Sequence, residues 1–146
     1  MIQQIINHLK TISAVTDIIG SDPIKAFAGK AEKKMDNAAG NPVAIAQPYV
    51  VIIDKGGDKV RTMDGRTGTR EVDFLVEVTS KSGIQANTLY NAVGDALDVA
   101  AQEYWDTIEV QYSEMDEPTD VSVPPSAAEQ KPLTVLAGHL FVRANY

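Results

Sequence analysis

Between Thr69 and Trp105 the chain carries a strand pattern that runs straight into a helix pattern, and each has a single apolar face. In Thr69–Ser80, Val72, Phe74, Val76 and Val78 fall on one side and Glu71, Asp73, Glu77 and Thr79 on the other, with Leu75 the one lapse. Successive side chains of a strand point to opposite faces, so the spacing predicts a half-buried strand resting on its valine side. Ser82-Gly-Ile-Gln85 follows as a capping box: Ser82 accepts from the amide of Gln85 while Gln85 reaches back. Leu89, Tyr90, Val93, Ala96, Leu97, Ala100, Ala101 and Tyr104 then recur at three- and four-residue steps. This predicts a core-facing helical stripe, with Asn87, Asn91, Asp95, Asp98 and Gln102 turned to water. Neither element can bury its apolar face alone, so the rest of the chain has to complete a strand-and-helix sandwich.

The flanking segments supply the other members. Ile2, Ile5, Ile6, Leu9 and Ile12 share one face of a first helix; Ser13 is expected to cap a short continuation, Ala14–Ile19, with Val15, Ile18 and Ile19 inward, and Gly20 and Pro23 end it. Pro48–Asp54 is a strand apolar on both faces, hence central or covered twice. Ile108, Val110 and Tyr112 alternate with Glu109 and Gln111 in another strand, and Leu133–Tyr146 forms a last strand, also apolar on both faces. The expected fold is α+β: an antiparallel sheet of about four strands with two helices packed on one face, in a single domain over residues 1–146. Three long excursions interrupt it, at 21–47, 55–70 and 114–132. The first is expected to hold a helical turn at Lys30–Met35, and the second to be a mobile, glycine-punctuated arm. The third is acidic and then proline-rich.

Composition narrows the chemistry. With no cysteine, disulfides, thiolate zinc sites and iron–sulfur clusters are excluded. No apolar run approaches the ~20 residues of a membrane span, and no signal-peptide pattern opens the chain, so the cytosol is the expected site of folding. The net charge of -7 is uneven: residues 1–80 hold ten basic and ten acidic side chains, whereas residues 81–146 hold three basic and ten acidic, 3 - 10 = -7. From Asp95 to Asp120 there is no basic residue. Such a half argues against wrapping nucleic acid, whose phosphates need Lys and Arg, and is compatible either with a plain solvated acidic face or with a surface that nucleic acid passes without sticking.

Motifs for catalysis are missing. Gly56-Gly57-Asp58-Lys59 and Gly65-Arg66-Thr67-Gly68 lack the spacing of a phosphate loop, and no helix opens after either. His8 reads as a surface or rim residue of the first helix and His139 as a packed or interfacial one, with no carboxylate spacing that makes either a metal ligand. Asp73 and Glu77 read as the solvated side of a strand. The expectation is a protein without catalytic, metal or cofactor sites. The last strand, apolar on both faces and without a polar tail, reads instead as a bare sheet edge that pairs with another chain.

In four places the chain resembles the tail terminator, or tail completion, proteins of long-tailed bacteriophages. Ser13-Ala-Val-Thr-Asp-Ile-Ile-Gly20 is similar to the family's short helix ending in glycine, and Gln47-Pro-Tyr-Val-Val-Ile52 to its first strand. Arg70-Glu-Val-Asp-Phe-Leu-Val-Glu-Val78 with the helix from Asn87 to Ala101 resembles its strand-then-helix centre, and Leu133–Tyr146 its closing strand. Residues 28–46 are longer than the family's pattern. The resemblance implies a virion protein of the tail, assembled in the host cytoplasm. It implies a homo-oligomeric ring, usually a hexamer, that caps the tail tube protein, stops polymerisation and faces the head–tail connector or neck protein. DNA would cross the lumen without specific binding, and no membrane is involved. On this basis Leu140, Phe141, Val142 and Tyr146 are expected at the subunit interface. Lys59, Arg61, Arg66 and Arg70, the core of the densest basic group, are expected to dock the tube or connector. Asp95, Asp98, Glu114, Asp116 and Glu117 are expected to face the lumen. The competing readings are a neck or head-completion protein and a bacterial α+β ligand-binding oligomeric module, with a small enzyme ranking last.

Overall fold

The structure, a computed structural model, describes all residues except 22, 31–33, 37–38, 45, 63–64, 123–132 and 146; the side chains of 34–36, 43–44, 59–62 and 65–67 are also left out. Among the described residues, three helices and nine strands follow in the order α1 (Ile2–Leu9), α2 (Ser13–Ile19), β1 (Ala26–Ala28), β2 (Lys34–Asp36), β3 (Pro42–Ala44), β4 (Tyr49–Thr62), β5 (Gly65–Ser80), α3 (Gly83–Leu97), β6 (Glu103–Trp105), β7 (Ile108–Met115), β8 (Thr119–Asp120) and β9 (Thr134–Asn145). The main sheet has seven strands in the order β1-β4-β5-β9-β7-β6, with β8 pairing β9 beyond the end of β7. Its ladders are antiparallel except β1 against β4, and β2 and β3 form a separate hairpin. The α+β class is as expected, but the sheet is wider than four strands, and the short continuation after the first helix is a separate helix, α2, which begins at Ser13 with Ile12 and not Ser13 at its cap.

The alternation in β5 holds as read. Val72, Phe74, Val76 and Val78 are buried and join Val50 and Ile52 of β4, Leu136, Leu140, Val142 and Ala144 of β9, and Val110 of β7 in one core. α3 lies against β5, β9 and β7, with α2 against α3 and α1 against α3, β1 and β6. Ile5, Ile6, Leu9, Val15 and Ile19 complete the core from the helices.

Four local expectations are corrected. The helix after Ser82 ends at Leu97 and not near Tyr104, because Ser113 intervenes. Its hydroxyl donates to the Leu97 carbonyl, and its backbone exchanges two 3.0 Å hydrogen bonds with Val99, pulling the chain out of the helix at Asp98. Ala100, Ala101, Gln102 and Tyr104 are therefore exposed. At the other end only half the capping box forms: Ser82 accepts from the Gln85 amide at 3.4 Å, while Gln85 Oε1 accepts from the Ser80 hydroxyl at 2.7 Å and Ser80 Oγ accepts the Ser82 amide. Tyr112 does not share a face with Ile108 and Val110, because a register shift between Val110 and Tyr112 turns it to the opposite side and brings Ser113 inward. The arm at 55–70 is not a loose loop. β4 and β5 stay paired from Tyr49↔Thr79 to Thr62↔Gly65, across register shifts at Asp54/Gly56 and Lys59/Arg61. At Gly57 a Cβ would overlap the backbone of Glu71, so only glycine lets the strands approach there.

In the 21–47 excursion β1 pairs with β4 and Lys34–Asp36 is a strand where a helical turn was expected; residues 31–33 of that turn lie outside those described. In the 114–132 excursion, β7 extends through Met115 and β8 follows at Thr119–Asp120; the proline-rich part lies outside the described residues. His8 is buried, not at a rim: its ring stacks on Trp105 at 5.4 Å and its Nε2 lies 3.0 Å from the Ala96 carbonyl.

Gly138 in β9 is where α3 comes closest to the sheet. A Cβ at that position would overlap the Tyr90 hydroxyl, which donates to the Asp116 carbonyl at 2.6 Å. Gly138→Ala is expected to destabilise the fold by about 1–3 kcal/mol through overpacking, measured by chemical denaturation. In a Tyr90→Phe background the added loss should be smaller, since the colliding hydroxyl is gone.

Candidate interaction surfaces

The sheet has a helix-covered face and an outer face, and the outer one is built by residues alternating with the core. Phe27 of β1, Tyr49, Val51 and Ile53 of β4, Leu75 of β5, Val135, Ala137 and Phe141 of β9 and Tyr112 of β7 stand there. Phe27 and Val51 are buried yet lie outside the helix-side core, and Phe27 meets Tyr49 edge-on at 6.1 Å. Across the middle of this face runs a polar line. His139 Nε2 lies 3.1 Å from Asp73 and its Nδ1 3.9 Å from Asp116, while Arg143 pairs with Glu71 at 3.6 Å. These side chains are exposed enough for solvent to screen them, so the pairs orient the face more than they stabilise it. Among the described residues no group of three His, Asp or Glu forms a metal cage. His139 reads from the sequence as packed or interfacial, but its two carboxylate partners, Asp73 on β5 and Asp116 just after β7, are distant in the chain and leave no local signal.

The bare-edge premise for the last strand is overturned. β9 is interior, flanked by β5 along its whole length and by β7 and β8 on the other side. Leu140 and Val142 are fully buried in the chain's own core, so they are not available as interface side chains. Phe141, on the outer face and partly buried against Tyr112 at 6.3 Å, remains accessible; Tyr146 lies outside the described residues.

The acidic residues converge. Asp95 and Asp98 of α3 and Asp116 and Glu117, just after β7, line one open groove of about 370 Å³ with Tyr90, Asn91, Gly94, Met115 and Pro118. α3 runs back across the sheet toward Ser113, which sets its C-terminal carboxylates beside the β7–β8 connection. Glu114 points elsewhere: it accepts from the Tyr112 hydroxyl at 2.7 Å on the outer face, which holds that phenol above its ordinary range. Tyr90, which also lines the groove, is pushed up to about 12 by burial and by the charges of Asp116 and Glu117.

The basic residues expected to dock belong to the paired β4 and β5 strands. Arg70 borders a second groove of about 330 Å³ with Met1, Asp54, Gly56, Gly57, Asp58 and Val72. The side chains of Lys59, Arg61 and Arg66 lie outside the described residues, but their backbone belongs to the paired β4–β5 ribbon. Among the described residues, Ile84, 83% exposed at the start of α3, and Tyr104, 62% exposed on β6, are the most open large apolar side chains.

The fold is shared with a known particle component. The chain is similar to a chain in a solved structure described as the virion of a native gene transfer agent particle, at 14% identity and a TM-score of 0.67, covering 97% of this chain and 92% of that one. No protein-family model matches the chain, and no curated protein is similar to it in sequence.

Tyr90 makes stability depend on alkaline pH. Its folded pKa of about 12 exceeds the ordinary 10.0, so the folded state holds a proton that the unfolded state releases. The contribution is complete below pH 10 and is lost as pH rises toward 12. Urea unfolding at pH 9 and pH 11 should show the loss, and Tyr90→Phe should flatten it relative to the parent.

Proposed function

We propose that the chain is a structural component of a phage-like virion, and that within it copies form a ring that caps the tail tube. The ring ends tube polymerisation and offers its other face to the head connector or neck. The observation that carries the virion role is the likeness of fold, along nearly the whole of both chains, to a chain of the gene transfer agent particle. The finer assignment rests on the four places where the sequence resembles tail terminators, two of which, the centre at Arg70–Val78 with its helix and the closing strand, form the middle of the sheet.

The role is scaffolding, not catalysis: the distinctive surfaces are a partly apolar outer face, an acidic groove and a basic ribbon. A hexamer is the stoichiometry the tail-terminator resemblance favours. DNA crosses its lumen without specific binding, in keeping with the excess of acid over base in residues 81–146.

Native mass of the purified protein, alone and mixed with tube protein, tests the ring. A closed ring of one stoichiometry in either sample is the expected result, and monomers or dimers in both would remove this reading. Particles made without the chain should carry tails of uncontrolled length. Tails of normal length that fail to join heads would assign the chain to the neck instead.

A further inference from the structure

We infer that neighbouring copies are joined by the corner between β5 and α3, Lys81 to Gln85, seated on an aromatic and acidic patch of the next copy. Tyr104, Tyr112 and Phe141 form that patch with Glu109 and Glu114. The inference rests on the proposal that the chain self-assembles, and names the contact between its copies.

The patch lies on the outer face of the sheet, toward β6. Trp105, Ile108 and Val110 turn into the core, so Tyr104 and Glu109, which stand opposite one another, face outward. Past the register shift, Tyr112 and Glu114 face the same way, opposite Arg143 and Phe141. Tyr104 is 62% exposed and Tyr112 40%, with the Tyr112 ring 6.3 Å from that of Phe141. Each tyrosine hydroxyl donates to a carboxylate, Tyr104 to Glu109 at 3.4 Å and Tyr112 to Glu114 at 2.7 Å. Rings and negative charges are thus held side by side before a partner arrives. Such a patch fits an apolar side chain presented next to a cation: the rings cover the first and attract the second, and the carboxylates pair with it. Open tyrosines are also the residues on which interface energy concentrates.

The corner after β5 presents that combination. Lys81, Ser82, Gly83, Ile84 and Gln85 are all exposed, Ile84 at 83%. The corner is also stiff. Ser80 Oγ accepts from the Ser82 amide and donates to Gln85 Oε1, while Ser82 Oγ accepts from the Gln85 amide. A corner ordered in advance loses little freedom on docking, which favours a contact of few residues. Its lysine is opposite in charge to Glu109 and Glu114.

One chain cannot bring the two surfaces together. Ser80 stands opposite Thr134 at one end of β9, whereas Tyr112 stands opposite Arg143 and Glu109 opposite Asn145 at the other. Nine to eleven residues of strand separate these levels, roughly 30–37 Å. The corner that meets the patch therefore belongs to another copy. Unlike surfaces at opposite ends of one molecule make a heterologous contact, the kind that closes into rings and not into two-fold dimers.

Lys81→Glu alone, or Glu109→Lys with Glu114→Lys, should raise the concentration needed for assembly by about tenfold at low salt. The three reversals together should bring it back to within a few-fold of the parent. Ile84→Ser and Tyr104→Ala should each weaken assembly at high salt as well, because apolar burial is not screened. Unchanged thermal unfolding of each variant keeps misfolding apart from lost assembly. A photoreactive benzophenone side chain in place of Asn87, one turn along α3 from Ile84, maps the contact directly. In a mixture of isotope-labelled and unlabelled copies it should crosslink to residues 103–115 of a different copy. No recovery on combining the reversals, or crosslinks elsewhere on the neighbouring copy, overturns the contact. Crosslinks to tube protein in place of a second copy overturn it in favour of a corner that docks the tube. A parent chain that stays monomeric alone and with tube protein removes the ring proposal and this contact with it; an oligomer indifferent to all these variants removes only the contact.

Discussion

The pairing of β5 with β9 is what everything else in this fold hangs on. Twelve consecutive residue pairs join Thr69–Ser80 to Thr134–Asn145, tying together segments far apart in the chain. Closing so long a loop costs chain entropy that grows only slowly with length, and the cost is offset by apolar burial on the helix side. Phe74 sits opposite Leu140, Val72 opposite Val142 and Val78 opposite Leu136, all buried. β4 attaches to one side of this pair and β7 with β8 to the other, and α3 covers it. The ribbon and the groove inherit their positions from the same ladder, since each is fixed by where a strand runs past the end of its neighbour.

How far the sequence was legible follows from where the determining contacts are. β5 and the body of α3 could be read directly, because a strand or helix with one buried face writes its period into adjacent residues. The C-terminal end of α3 could not. Ala100, Ala101 and Tyr104 keep the helical spacing, but Ser113, from another strand, takes the Leu97 carbonyl and Val99. Tyr112 was misplaced for a similar reason, a bulge that no local pattern announces. The double-faced apolar character of β9 was seen, but its cause was inverted. A strand apolar on both sides reads equally as a sheet centre or as an interface, and neighbours on both flanks make it the centre.

The candidate surfaces were legible as charges and not as places. The run without a basic residue from Asp95 to Asp120 marks an acidic region, yet only the return of α3 toward β7 gathers Asp95, Asp98, Asp116 and Glu117 into one groove and leaves Glu114 on the other face. The basic group at 55–70 was visible too, but glycines suggested mobility where the strands in fact remain paired. Gly57 is there for close approach, and Gly56, at φ 95°, for the turn of a bulge whose amide donates to Asp54. His8 was hidden for a different reason: only the fold brings Trp105 against its ring.

The interior position of β9 also bears on how the protein is made. β5 leaves the ribosome long before the strand that pairs with it, with 134 - 80 = 54 residue steps between Ser80 and Thr134. At roughly 5–20 residues per second, that is a wait of about 3–10 s during which one edge of β5 stays open. Over that interval β4 and β5 can pair, but Val72, Phe74 and Val76 have no β9 beside them. The acidic side chains at Glu71, Asp73 and Glu77, which alternate with them, keep charge on the exposed edge throughout. The same carboxylates that later line the outer face thus guard the nascent chain against joining its neighbours too early.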